Sequence, residues 1–306
     1  MSTFKKIVLT LFCIFVSVVL LTWCLCHYRL TRSYVGYFKT KGVPVKAEKT
    51  GPGELVLIAR DGSRVKARLR LPTAGKPPYA AAVLMGGLRT GCKAASLIPD
   101  KYLERGIAVL SLDYHIVGKL PLPGRGAKWH HYLRYPPELV ATVDDIVDAA
   151  DYLATRDDIN KDKIVLIGVS FGIYVTPAAM AAQKRYAALA IVYGGAPMDK
   201  MATHNFTSLP AWSRPAIGTL TSLLLAPLEP TIHLPHVGNR PVLYLVSTED
   251  EQIPIECVHA VRDSIKGPKT LIYLKTRHVN PRNKKLISSL ASKAMDWMDE
   301  RINDSN

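Results

Sequence analysis

Ser170, the acidic run Glu249-Asp250-Glu251 and His278 are residues whose types and order suit nucleophilic attack on a carbonyl. A serine hydroxyl is a poor nucleophile at neutral pH, so an imidazole must take its proton during attack and later return one to the leaving group. Histidine is the side chain that titrates near neutral pH without a large perturbation. A carboxylate beside it fixes the tautomer and stabilises the imidazolium. Ser170 lies in Gly168-Val-Ser170-Phe-Gly172, after the apolar run Lys163-Ile-Val-Leu-Ile and before Ile173-Tyr-Val-Thr-Pro-Ala-Ala-Met. That order predicts strand, sharp turn and helix, with the serine in strained backbone angles and almost no side chain on either flank. Gly168 and Gly172 meet this demand. At about 7% glycine usage, such a pentapeptide arises by chance in roughly one chain of this length in ten, so its neighbours must support the assignment.

Several elements must position those groups. Ala80 to Met85 is wholly apolar, as in a strand covered on both faces, and runs into Gly86-Gly87-Leu88-Arg89-Thr90-Gly91. Glycines at that strand end let the loop fold back so that a backbone N–H, of Gly87 or Leu88, faces the nucleophile. An ordinary glycine-rich turn is the plain alternative. Leu55 to Arg60 and Val65 to Leu71, joined through Asp61-Gly62, predict a hairpin. Ile107–Leu112, Ala187–Tyr193, Pro241–Val246 and Lys269–Lys275 predict further strands, and His278 follows the last of them at once. Helices are expected from Pro137, over Ile255–Ile265 and over Asn283–Ile302. The first of these carries Asp144, Asp145, Asp148 and Asp151 opposite its apolar stripe, which reads as a solvated face. Strands alternating with helices argue for an α/β domain over residues 54–302, built on a mostly parallel central sheet with helices on both faces. Residues 198–240 break the rhythm with a long, proline-rich stretch, and such a segment inside a compact domain is usually functional.

The chain has 306 residues, enough for one large domain with a deep core plus a short appendage. Its net charge of +15 favours anionic surfaces such as lipid headgroups or acidic substrates, and no stretch reads as a nucleic-acid motif. Five cysteines form no disulfide framework and show no metal-ligand spacing. The adjacent His130 and His131 lack a third ligand at metalloenzyme spacing, so they are read as pocket-mouth or surface residues, and no metal or cofactor is expected. Residues 1–6 form a short basic N-terminus, and Ile7 to Cys26 contains no charge. At 1.5 Å per residue such a helix spans roughly 30 Å, the hydrocarbon thickness of a bilayer. This predicts a single transmembrane anchor, followed by a basic juxtamembrane linker over 27–53. A cleaved signal peptide is the main alternative, although Trp23-Cys24-Leu25-Cys26 is a poor cleavage site. Basic residues flank both ends, which leaves the side of the membrane open.

The Asp61-Gly62 hairpin, the Gly86-Gly87 strand end, the Gly168–Gly172 elbow, Asp250 four residues before Pro254, and His278 after the final strand together resemble the α/β-hydrolase superfamily. Within it the chain is similar to the dienelactone hydrolase-like and serine-esterase branch. The resemblance implies Ser170 as nucleophile, Asp250 as acid and His278 as base, with oxyanion donors at the N–H groups of Phe171 and Leu88. It also implies that 198–240 is a lid insertion over the active site. The expected function is a membrane-anchored serine hydrolase that cleaves carboxylic esters or thioesters, with a small ester or acyl substrate, lipid and anionic molecules among the candidates. Acyl transfer, peptide cleavage, or a catalytically silent fold kept for binding are the alternatives.

Overall fold

The computed structural model describes residues 45–58, 62–121 and 128–303, together with part of 14–38. One nine-stranded sheet forms its centre, in the order β1-β2-β3-β5-β4-β6-β7-β8-β9. β1 (Lys46–Gly51), β2 (Glu54–Ile58) and β3 (Arg64–Arg70) make an antiparallel meander that joins β5 antiparallel. From there β4 (Tyr79–Met85), β5 (Ile107–Leu112), β6 (Ile159–Val169), β7 (Tyr186–Val192), β8 (Val242–Ser247) and β9 (Lys269–Leu274) run parallel. β4, β5, β7 and β8 are apolar without alternation because helices cover both faces. α1 (Tyr135–Ala154), α2 (Thr176–Ala182) and α5 (Ile255–Ser264) lie on one side, α3 (Met198–Asn205) and α4 (Arg214–Leu225) form the insertion between β7 and β8, and α6 (Lys284–Asn303) closes the other side. α6 is fastened to the short helical turn Asp100–Leu103 by the Tyr102 hydroxyl on the Ser288 carbonyl and by Arg105 on Asp296 and Asp299.

Two expectations change. The linker expected over 27–53 is partly sheet: β1 pairs with β2 from Lys46 opposite Ile58, and Tyr34, Phe38 and Val45 are buried. β1 is a polar edge strand, so it lacks the apolar alternation by which a strand is read, and edge charges of this kind block further pairing. The acidic row on α1 is not a solvated face either, since Asp145 and Asp148 are only 3% and 5% exposed. The segment after β5 folds over it, where Asp145 Oδ2 lies 2.9 Å from His115 Nδ1, while Asp151 accepts from Gln183 and Arg185. Cys92 and Cys257 are both free thiols, and burial pushes them up to about 11 and about 12. Neither is a thiolate near neutral pH.

Asp61 and residues 1–13 lie outside the described residues, as does the basic N-terminus over 1–6 and much of the span expected over 7–26. The described residues between 14 and 29 are helical, with Ile14, Val18, Leu20, Leu21 and Leu25 each more than half exposed. Among the described residues no helix is long and apolar enough to cross a membrane.

The hydrogen bond that His115 donates to Asp145 raises the His115 pKa above its ordinary value, outweighing burial. A raised histidine stabilises the fold fully below its unfolded value of about 6.5, and loses that contribution as pH climbs through the folded value. The stability advantage of the native chain over Asp145→Asn, measured by urea unfolding, should therefore shrink from slightly acid to alkaline pH. A difference that stays constant across that range would show that the pair does not couple to folding.

Candidate active site

β6 delivers Ser170 at its C-terminal end, and the serine adopts φ 54°, in the left-handed region that side-chain-bearing residues rarely enter. The chain then makes a 3-10 turn over Ser170–Tyr174 before α2 begins. A Cβ on Gly168 would run into Thr176 Oγ1, and one on Gly172 would sit 2.5 Å from the Met85 carbonyl oxygen. Both glycines are therefore required by close approach. Gly172 also brings the end of β4 against the elbow.

Ser170 Oγ lies 2.8 Å from His278 Nε2, and His278 Nδ1 lies 2.7 Å from Asp250 Oδ2. The imidazole and carboxylate are almost wholly buried, with side chains 7% and 2% exposed. Asp250 Oδ1 accepts from the N–H groups of Gln252 and Ile253, so the carboxylate is held from both oxygens. Glu249 turns instead toward Lys275, and Glu251 toward Arg277. Glu251 also accepts from the His278 backbone N–H at 3.1 Å, which lowers its pKa and ties the histidine loop to the acid loop. This arrangement can deprotonate a serine hydroxyl, store the proton on the imidazole and stabilise the resulting charge.

Leu88 and Phe171 sit on the two loops that flank Ser170. The Gly87 carbonyl accepts from the N–H groups of Thr90 and Gly91, closing a tight turn, and among the described residues nothing accepts from the Leu88 N–H. The buried Tyr114 hydroxyl donates to the Gly86 carbonyl at 2.5 Å, and its ring packs edge-on to Phe171 with centroids 5.6 Å apart. One side chain thus braces both loops. Tyr193, with φ 53°, does similar work on the other side: its hydroxyl lies 2.5 Å from Thr276 Oγ1, two residues before His278. Ser247 Oγ donates to the Thr276 carbonyl. Sequence reading does not find Tyr114, Tyr193 or Ser247, and it gives Glu251 no role beyond the acidic run; the single hint is that each lies within a few residues of a strand end.

A cavity of about 150 Å³ reaches Ser170 and runs between the sheet and α6. No residue of 198–240 lines it, so the insertion does not roof this cavity as a lid would. Within the insertion the half-buried Glu229 accepts from the Met198 and Thr231 N–H groups, and Arg29 donates to the Leu223 carbonyl at 2.6 Å. It meets the acid loop, where His204 and Asn205 hydrogen-bond the carbonyls of Glu251 and Gln252. His131 Nδ1 accepts from the Lys128 N–H and so caps its own short helix, and among the described residues no group of side chains converges to hold a metal.

Residues 100–305 match the prolyl oligopeptidase family. No curated protein matches the chain. Among solved structures it is similar to an acetyl xylan esterase from Paenibacillus sp. R4, at 14% identity and a TM-score of 0.59, over 89% of this chain and 93% of the other. It is likewise similar to acetyl xylan esterase 1 from Thermoanaerobacterium sp. JW/SL YS485, at 15% identity and a TM-score of 0.61, over 90% and 92%. A puromycin hydrolase aligns at 17% identity with a TM-score of 0.58, over 86% of this chain and 41% of the other. At such identities the likeness is one of fold.

Gly172→Ala should lose several kcal/mol of stability, as overpacking against backbone does, and should move Ser170 out of reach of His278. Thermal unfolding reads the first effect. A variant that melts with the native chain would mean that β4 and the elbow separate freely.

Proposed function

The chain belongs to the prolyl oligopeptidase family of serine hydrolases, and from that premise we propose that it cleaves carboxylic esters or thioesters through an acyl-enzyme on Ser170. The observation that carries this reading is the hydrogen-bonded series from Ser170 Oγ through His278 to Asp250, set at the mouth of an apolar cavity. In the proposed reaction His278 Nε2 removes the hydroxyl proton as Ser170 Oγ attacks the carbonyl carbon. The N–H groups of Phe171 and Leu88 receive the oxyanion, each contributing about 3 kcal/mol to the transition state. His278 then gives its proton to the leaving oxygen or sulfur. Water enters on the same side and attacks the acyl carbon as His278 takes its proton; the bond to Ser170 Oγ then breaks, His278 returns the proton to Oγ, and the acid is released. Asp250 keeps Nδ1 protonated and offsets the charge on the imidazolium.

Peptide cleavage on the same residues is the second reading, favoured by the family match. An ester needs only an apolar acyl site and an exit for the alcohol, which the cavity and the exposed histidine loop supply. We further propose that residues 7–26 anchor the protein in a membrane. The uncharged sequence and the exposed apolar side chains from Ile14 to Leu25 support this reading, and the net charge of +15 suits anionic headgroups.

Ser170→Ala should abolish labelling by a fluorophosphonate probe. Asp250→Asn should lower ester turnover by about 10⁴-fold with the fold intact, whereas Glu249→Gln and Glu251→Gln should cost far less, the latter because an amide oxygen still accepts from the His278 N–H. Full turnover in Ser170→Ala would refute the enzyme reading. For the anchor, the full chain should stay in the membrane pellet after carbonate washing, while a chain begun at Ser33, which keeps the buried Tyr34 and Phe38, should be released. Recovery of mature protein starting after residue 26 would mean that the segment is cleaved.

A further inference from the structure

The cavity beside Ser170 lies on the α6 side of the sheet. α6 faces it with Ile287, Leu290, Ala291, Ala294 and Met295, a single stripe at three and four residue spacing. Facing them, β4 contributes Ala82 and Leu84, which share one side of the strand. The void exists because alanines stand where larger residues would fill it: Ala82 from the sheet, Ala94 from the turn after β4, and Ala291 and Ala294 from the helix. Ser170 and Thr90 supply the only polar side chains on its wall. A wall of this kind favours an apolar occupant over water.

We propose that this cavity holds the acyl chain of the substrate and sets a preference for chains of about four to six carbons, because an apolar cavity of similar volume admits benzene. The inference rests on the hydrolase reading above. The orientation follows from which residues share the wall. Ser170, the Gly86-Gly87 loop, and Val279 and Pro281 from beyond the catalytic histidine line the cavity, whereas His278 itself does not. The leaving oxygen must meet His278 Nε2, so the alcohol departs on the histidine side, and the half of the substrate that stays bonded to Ser170 Oγ points into the cavity. In acylation the Oγ–carbonyl carbon bond forms as the bond from that carbon to the leaving oxygen breaks, and the serine proton passes through His278 to that oxygen. The covalently held acyl chain then occupies the apolar space until water hydrolyses the new ester.

The full chain would be assayed against p-nitrophenyl acetate, butyrate, hexanoate, octanoate and decanoate, which share one leaving group. kcat/KM should rise about tenfold or more from acetate to butyrate or hexanoate and fall again by decanoate. Ala294→Leu should lower the hexanoate-to-acetate ratio about tenfold, while Leu220→Ser, on the exposed side of α4, should leave that ratio as it is. Binding read without turnover gives a second line: 1-hexanol should raise the melting temperature of Ser170→Ala, and should fail to do so when Ala294→Leu is added. A profile flat from acetate to decanoate, or one in which decanoate is preferred, in a protein whose Ser170 takes the fluorophosphonate would overturn the acyl-site inference and leave the hydrolase reading standing. Absence of both labelling and turnover would remove the hydrolase reading, and the acyl assignment with it, even if hexanol still binds.

Discussion

The approach of Gly172 to the Met85 carbonyl is the contact on which the site depends. It lets β4 and β6 end side by side, so that the glycine loop after Met85 and the serine after Val169 occupy neighbouring positions. Any side chain at 172 would push the elbow away from β4, and any side chain at 168 would push it away from α2. The strained φ of Ser170 persists because both sides of the turn are fixed. A residue held in this way needs no movement to reach a carbonyl, which is how rigidity at the elbow becomes reactivity at Oγ.

The remaining groups arrive from the C-terminal ends of neighbouring parallel strands, where open α/β sheets place their ligands. Loops after strands are not rigid by themselves. Here three tyrosines brace them: Tyr114 holds the Gly86 carbonyl, Tyr193 meets Thr276 Oγ1, and Tyr244 holds the Gly194 carbonyl at 2.6 Å. Burial raises the pKa of all three, so each hydroxyl keeps its proton at neutral pH. A buried phenol is costly without a partner, and a loop carbonyl is costly without a donor; pairing them satisfies both and fixes the loop.

What the sequence revealed and what it hid divide along the range of the interaction. The elbow, the apolar strands and α6 were legible because their pattern is complete within about twenty residues of chain. Asp250 and His278 were reachable only through the order of strands and through resemblance, since nothing local distinguishes Asp250 from its acidic neighbours. β1 was missed because an edge strand faces water and carries no apolar alternation. The acidic row on α1 was misread because its partner His115 comes from another part of the chain, and a pattern that ends in carboxylates looks the same whether water or imidazole receives them. The insertion over 198–240 stood out by composition, but composition does not say which side of a sheet a segment covers.

The pairing of the acid loop with the histidine loop shows how one of three adjacent carboxylates is selected. Glu249 faces Lys275 at 3.7 Å, Asp250 faces His278 at 2.7 Å and Glu251 faces Arg277 at 3.5 Å. The outer pairs are well exposed, and solvent screening leaves such pairs with at most about 1 kcal/mol each. Their effect is on register: they satisfy the two glutamates outside and so turn the intervening aspartate inward. Among the described residues Asp250 has no arginine or lysine partner; it accepts from two backbone N–H groups and pairs with the imidazole. A buried carboxylate paired with a permanent cation would already be neutralised, and the imidazolium would gain little from it. Left with neutral donors, Asp250 keeps its charge available for the moment when His278 takes the serine proton.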